Sequence, residues 1–202
     1  MNLLGAFKNK NGELPKHIVV YRDGVSDSQF EQVMMYEVEA FKEALKLLGD
    51  LDTGEVKLSF IICQKNHHTR LAFDERGTYL NICPGVVADA SGGPNSISST
   101  VLNEFYLNSH VAIQGTCKPC KYTLLYDEIN FKLSELELLT YWSCYLYSRC
   151  NRSVSLATPA YYAHWAAQRA RNLCSAGALA SDLQQISDTW STPGRHSCMF
   201  FL

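Results

Sequence analysis

The sequence has no apolar run approaching the roughly 20 residues of a membrane-spanning helix, and its N-terminal stretch has no h-region. A cytoplasmic or nuclear protein without membrane contact is expected. The chain also lacks an excess of one charge. Eighteen Lys and Arg against 20 Asp and Glu give a formal net charge of −2, so any nucleic-acid partner must be held by local clusters. A second CxxC is missing. Cys117-Lys118-Pro119-Cys120 stands alone, so neither a zinc site nor a redox pair has support. The eight cysteines are scattered through apolar segments of a chain long enough to build its own core, which predicts reduced, mostly buried thiols. No internal repeat is found. With 47% hydrophobic and 19% charged residues over 202 positions, one sizeable globular domain follows.

What is present is organised around His17-Ile18-Val19-Val20-Tyr21-Arg22-Asp23-Gly24-Val25, a β-branched and aromatic run that stops on an arginine, an aspartate and a glycine. Such a strand holds one carboxylate rigidly at its end. Ser26 and Gln29 then have the spacing of a capping box, and Phe30, Val33, Met34, Val38, Phe41, Leu45 and Leu48 recur at helical spacing, closing at Gly49. Asp23 therefore lies in a strand-to-helix turn. Read without context, it is a turn or cap residue.

Val56 to Cys63 is a continuous apolar run of the kind buried on both faces, and the helix between the two strands predicts a βαβ-type connection. Shorter strands and a Gly-rich loop, Ser91 to Ser96, follow between Gly77 and Thr100. Asn103 to Ile113 and Tyr122 to Tyr126 read as strands. Ser134 and Glu137 are spaced as a second capping box for a helix reaching about Cys150, with Leu136, Leu139, Trp142 and Leu146 expected in the core. Thr158 is expected to cap a last helix, with Pro159 at its first position and its end near Leu173. The fold class is α/β, a mixed sheet flanked by helices.

Two kinds of chemistry are available. A carboxylate and an imidazole, Asp23 and His164, are a partial ligand set for a hard divalent cation, although a helix histidine more often packs or hydrogen-bonds. Three clusters offer Lys, Arg, His and hydroxyl donors suited to phosphates: Lys65 to Arg70; His110, Gln114, Thr116 and Lys118; and Arg149, Arg152, Ser155 and Tyr161. Each is otherwise a solvated charged face.

Tyr21 to Phe30, YRDGVSDSQF, closely resembles the strand and turn of the PIWI domain of Argonaute proteins. Lys65-Asn66-His67-His68-Thr69-Arg70, Phe105 to His110 with Gln114-Gly115-Thr116, and Arg152 to Ser155 running into Pro159-Ala160-Tyr161-Tyr162-Ala163-His164 recur in the family's order. Four matches in one order are far more specific than any one. Gly24-Val25-Ser26 and Tyr161 to His164 resemble the Argonaute branch rather than the Piwi branch.

The resemblance implies the C-terminal part of an RNase H-like PIWI domain over residues 1–202, incomplete because its opening strands and the N, PAZ and MID domains have no counterpart. It implies small-RNA-guided silencing, with guide and target RNA held by phosphate contacts alongside the remaining Argonaute domains or silencing proteins. Asp23 and His164 match two members of the Asp-Glu-Asp-His tetrad that binds magnesium in slicing Argonautes. The other two acids come from upstream segments in the family, and Glu13 does not match. Autonomous cleavage is therefore not expected. An interaction module without catalysis is the alternative.

Positions matching Lys65, Arg70, His110, Lys118, Arg149, Arg152, Ser155 and Tyr161 line the guide strand in the family, and the match to Arg169 turns toward its 5′ phosphate. Lys118 replaces an arginine and Asn66 a common basic residue. At about 100° per residue, His164 and Arg169 point roughly 140° apart on one helix. The tail Met199 to Leu202 resembles the family's buried apolar C-terminus.

Overall fold

The computed structural model describes residues 2–49, 56–89 and 103–175. In chain order these form α1 (Asn2–Asn11), β1 (His17–Asp23), a 3₁₀ turn (Asp27–Gln29), α2 (Phe30–Gln32), a π-helical segment (Val33–Val38) and α3 (Glu39–Gly49). There follow β2 (Lys57–Gln64), β3 (Ala72–Glu75), β4 (Thr78–Asn81), β5 (Val86–Asp89), β6 (Glu104–Asn108), β7 (Cys120–Asp127), α4 (Leu133–Ser143) and α5 (Thr158–Ser175). No described helix is long and apolar enough to cross a membrane.

A five-stranded sheet runs in the order β1-β2-β7-β6-β5, and β3 and β4 form a separate two-stranded piece. β1 and β2 are parallel, with Asp23 opposite Cys63, and the other neighbours are antiparallel. The mixed α/β sheet is thus the expected one. β1 forms an edge, with no strand on its outer side among the described residues.

Side chains on a strand alternate between faces, and β2 is buried on both from Leu58 to Cys63. Leu58, Phe60 and Ile62 pack with Val25, Val33 and Val38 beneath the crossover helix. Ile61 and Cys63 face the other way, joining Phe105, Leu107, Tyr122, Leu136, Ala157 and Ala160. The two predicted ligand elements, β1 and α5, both pack against this second cluster through Tyr21 and Tyr161.

Several boundaries differ from the expected ones. The first long helix is not uniform. Its i→i+5 segment turns Val33 and Val38, five residues apart, onto one face, where they are 5% and 0% exposed. The strand expected over Asn103 to Ile113 ends at Asn108, whose amide donates to the Ile82 and Cys83 carbonyls, while Ile113 is 98% exposed. α4 stops at Ser143 rather than Cys150, because the chain tightens through i→i+3 bonds from Cys144, Tyr145 and Leu146. At its N-terminus Glu135 accepts the Lys132 N–H at 3.3 Å, in place of the expected Ser134 and Glu137 box. Only Leu136 of the four apolar residues expected in the core is buried; Leu139, Trp142 and Leu146 are exposed.

Thr158 is the first residue of α5 and not its cap. The Ala157 carbonyl accepts the first helical N–H groups, and the buried Thr158 hydroxyl has no hydrogen-bond partner among the described residues. The loop from Ser91 to Ser96 and the tail Met199 to Leu202 lie outside the described residues.

The Glu137 carboxyl, on α4, is pushed from 4.5 to about 7 by burial and then by the neighbouring Asp89 charge and hydrogen bond. Its folded value lies above its unfolded one, so the folded state binds the extra proton. Stability should therefore fall as pH rises from about 4.5 to about 7 and level off above. Glu137→Gln should flatten that slope in denaturation curves recorded across this range. An unchanged slope assigns it to other groups.

Candidate metal and nucleic-acid site

β1 delivers Asp23 to the edge of a cleft of about 600 Å³, and the chain reverses at once. Gly24 makes this turn with φ of +78°, a conformation open to glycine without strain. Arg22, one residue before, donates Nε to Glu37 Oε2 at 2.8 Å and a second nitrogen to Oε1 at 3.1 Å, tying β1 to the π-helical segment. After the turn, the Gln29 side-chain oxygen accepts the Ser26 N–H at 3.2 Å, the expected half of a capping box.

α5 brings His164 to the same place. Its Nδ1 lies 3.9 Å from Asp23 Oδ2. α5 is fixed from below: the buried Tyr122 hydroxyl accepts the Ala157 N–H at 3.1 Å, and Ala157 and Ala160 are inside the core. At 3.9 Å the two groups are close enough to turn toward one divalent ion, with the carboxylate as its hard oxygen donor and the imidazole as a completing nitrogen. No group of three or more His, Cys, Asp or Glu converges among the described residues.

The Lys65 to Arg70 loop leaves β2 beside this cleft and leans on the segment before β7. Lys65 Nζ donates to the Lys118 carbonyl at 2.9 Å, and His67 Nε2 lies 2.9 Å from the Pro119 carbonyl. Burial lowers the Lys65 pKa, and burial followed by the Lys65 charge lowers that of His110. Lys65, His110 and Lys118 therefore lie together, although part of Lys65's donor capacity holds a loop in place. Arg70 bonds to the His67 and Thr69 carbonyls from an exposed position.

A second group forms where the turn after α4 meets α5. The Arg149 guanidinium lies 5.2 Å from the Trp165 ring centroid, Trp165 Nε1 donates to Tyr147 at 2.8 Å, and Tyr147 packs on Tyr161 at 5.0 Å. Arg152 is exposed nearby in sequence and Ser155 is half-buried. Arg169 is exposed and five helical positions beyond His164, on another side of α5. The Cys117 thiol is buried and donates to Asn108 Oδ1, and burial pushes the Cys120 thiol up to about 12. All seven described cysteines are free, and four of them are buried.

The sequence profile of the Piwi domain matches residues 1–175. The chain belongs to the Piwi domain family. Among curated proteins this Piwi domain is 45% identical over 202 residues to protein argonaute 1C of Oryza sativa subsp. japonica, covering 95% of the chain and 18% of that protein. It is 44% identical over 173 residues to protein argonaute 5 of Arabidopsis thaliana, covering 82% and 16%. The chain thus spans less than a fifth of the length of these relatives. Among solved structures it resembles the C-terminal lobe of a budding yeast Argonaute, with a TM-score of 0.73, 30% identity, and coverage of 83% of this chain and 35% of that one. Kluyveromyces polysporus Argonaute with a guide RNA gives 0.68 and 30%, covering 84% and 21%. The fold is the RNase H-like fold of Argonaute PIWI domains.

The Piwi domain contains a polar network that sequence reading missed. Lys121 of β7 lies 3.1 Å from buried Glu104 of β6 and 3.5 Å from Asp27 in the turn after Asp23. Gln64, at the end of β2, donates to Val25 O and to Asp27 Oδ1, both at 2.8 Å. The available signal was a lysine inside the otherwise apolar run around Tyr122, diagonal across the sheet from a glutamate heading the apolar run of β6.

Proposed function

We propose that this Piwi domain holds a small guide RNA and its paired target through phosphate contacts, as the C-terminal part of an Argonaute acting in small-RNA-guided silencing. The observation that carries the reading is the meeting of Asp23 and His164 at 3.9 Å beside a cleft walled by the Lys65 loop. Asp23 and His164 would hold magnesium, which when bound activates water and stabilises a leaving oxygen. The chain's own part is to keep the carboxylate and imidazole in register and to grip RNA phosphates with Lys65, Arg70, His110, Lys118, Arg149, Arg152, Ser155, Tyr161 and Arg169. Two converging donors are an incomplete set for a two-ion site. Cleavage then needs the two acidic ligands that the family draws from segments upstream of this turn, and the chain alone acts as an RNA-holding module.

Phosphate contacts predict a specific salt dependence. Binding of 5′-phosphorylated single-stranded RNA to the full chain should weaken linearly on a log–log salt plot, and equally for unrelated sequences. Arg149→Ala and Arg152→Ala should each reduce the slope by about 0.7. Fluorescence anisotropy over a salt series checks this. An unaltered slope removes those residues from the interface, and absence of RNA binding overturns the reading.

A further inference from the structure

We infer that Lys121 is a positioning residue that fixes the Asp23 carboxylate by anchoring the turn that follows it. The inference rests on the reading of Asp23 as a metal ligand. Asp23 is the last residue of an edge strand, so beyond β1 its backbone direction depends on what holds residues 24–29. Three strands of the sheet do so through one polar chain. β2 supplies Gln64, which donates to Val25 O and Asp27 Oδ1. β7 supplies Lys121, whose ammonium meets Asp27 Oδ2 at 3.5 Å. β6 supplies Glu104, which holds that ammonium at 3.1 Å from the buried side. Asp23, Val25, Asp27, Gln64 and Lys121 all line the same cleft.

Energetics separates positioning from stability. Asp27 is 67% exposed, so its ion pair with Lys121 adds little to folding. Lys121 and Glu104 are 11% and 6% exposed, and a buried pair of that kind is matched or bettered by apolar side chains of similar volume. Neither half of the chain is explained by stability. What the pair does supply is a fixed cation under an exposed turn. Burial alone would lower the Lys121 pKa, but the Glu104 hydrogen bond and the Glu104 and Asp27 charges outweigh it, keeping the ammonium charged. Partners that orient a metal ligand from behind commonly change metal affinity about 10-fold to 100-fold when removed.

The test is Mn²⁺ binding by the full chain, followed by paramagnetic broadening of the Gly24 and Val25 amides. It is paired with hydrogen exchange at Gly24, Ser26 and Gln29. Asp27→Asn removes the exposed end of the chain and leaves Lys121 paired with Glu104, so folding is preserved. Lys121→Met with Glu104→Gln removes the buried charges together, and Lys121→Arg keeps them. The first two should weaken Mn²⁺ binding about tenfold or more and speed exchange in the turn about tenfold, while Lys121→Arg stays near wild type. Wild-type affinity and wild-type exchange in Asp27→Asn and in the double variant overturn the inference. Should wild type and Asp23→Asn bind Mn²⁺ alike, the metal reading has failed, and exchange in the turn still decides whether Lys121 anchors it.

Discussion

Asp23→Asn is expected to remove divalent-ion binding from the β1 turn while leaving the fold intact. The substitution preserves shape and removes the only carboxylate among the described residues that meets His164, at 3.9 Å. An imidazole with a neutral amide is a poor set for a hard cation, which prefers charged oxygen. Little stability is at stake, because the half-buried side chain keeps its volume and no cavity opens. Metal-ion stabilisation of a phosphodiester transition state is worth several kcal/mol, so target cleavage by an assembled Argonaute carrying this change should drop about 10³-fold or more. Mn²⁺ titration, thermal melting and cleavage of a guide-matched target measure the three effects. Binding as tight as wild type would take Asp23 out of the metal site.

Phe105→Ala should be among the most damaging single core changes. The Phe105 ring is fully buried and stacked on Tyr122, with centroids 5.2 Å apart and planes 21° from parallel. Deleting it costs about 3–5 kcal/mol in transfer and cavity terms, out of the roughly 5–15 kcal/mol that a domain has in total. The damage reaches the site by a short route. Tyr122, released on one side, is the residue whose hydroxyl holds the Ala157 N–H at the start of α5, and α5 carries His164. Phe105→Leu keeps most of the volume and should cost markedly less. Urea denaturation distinguishes the two, and a loss below about 1 kcal/mol for alanine would show that the surrounding core collapses freely into the space.

The parts of the fold visible in the sequence were those where one local rule dominates. The run ending Arg22-Asp23-Gly24 announces a strand and a reversal, and the structure has both. The apolar run of β2 announced burial on two faces. His164 was visible only by resemblance, because a histidine within α5 carries no period or spacing that marks it as a ligand. The π-helical segment was hidden: Phe30, Val33, Met34 and Val38 fit an ordinary helical spacing closely enough that the extra residue per turn leaves no mark. The early end of α4 was hidden for another reason. Trp142 and Leu146 are apolar and read as core, whereas both are exposed where α4 ends and the chain turns after Ser143. The Lys121 network was masked because a charge within a strand is usually a solvated face, and only the β6-β7 register brings Glu104 near it.

Among the described residues β1 is hydrogen-bonded on one side, and its seven pairings with β2 run from His17 opposite Lys57 to Asp23 opposite Cys63. A slip of one residue would carry the carboxylate about 3.3 Å along the sheet and turn it to the opposite face. That travel is nearly the whole distance now separating Asp23 from His164. Ligand spacing in this molecule is therefore a matter of counting along a ladder, with Cys63 as the final rung. Anything that pairs with the outer edge of β1 would act on the site without touching it, as a lock on that count.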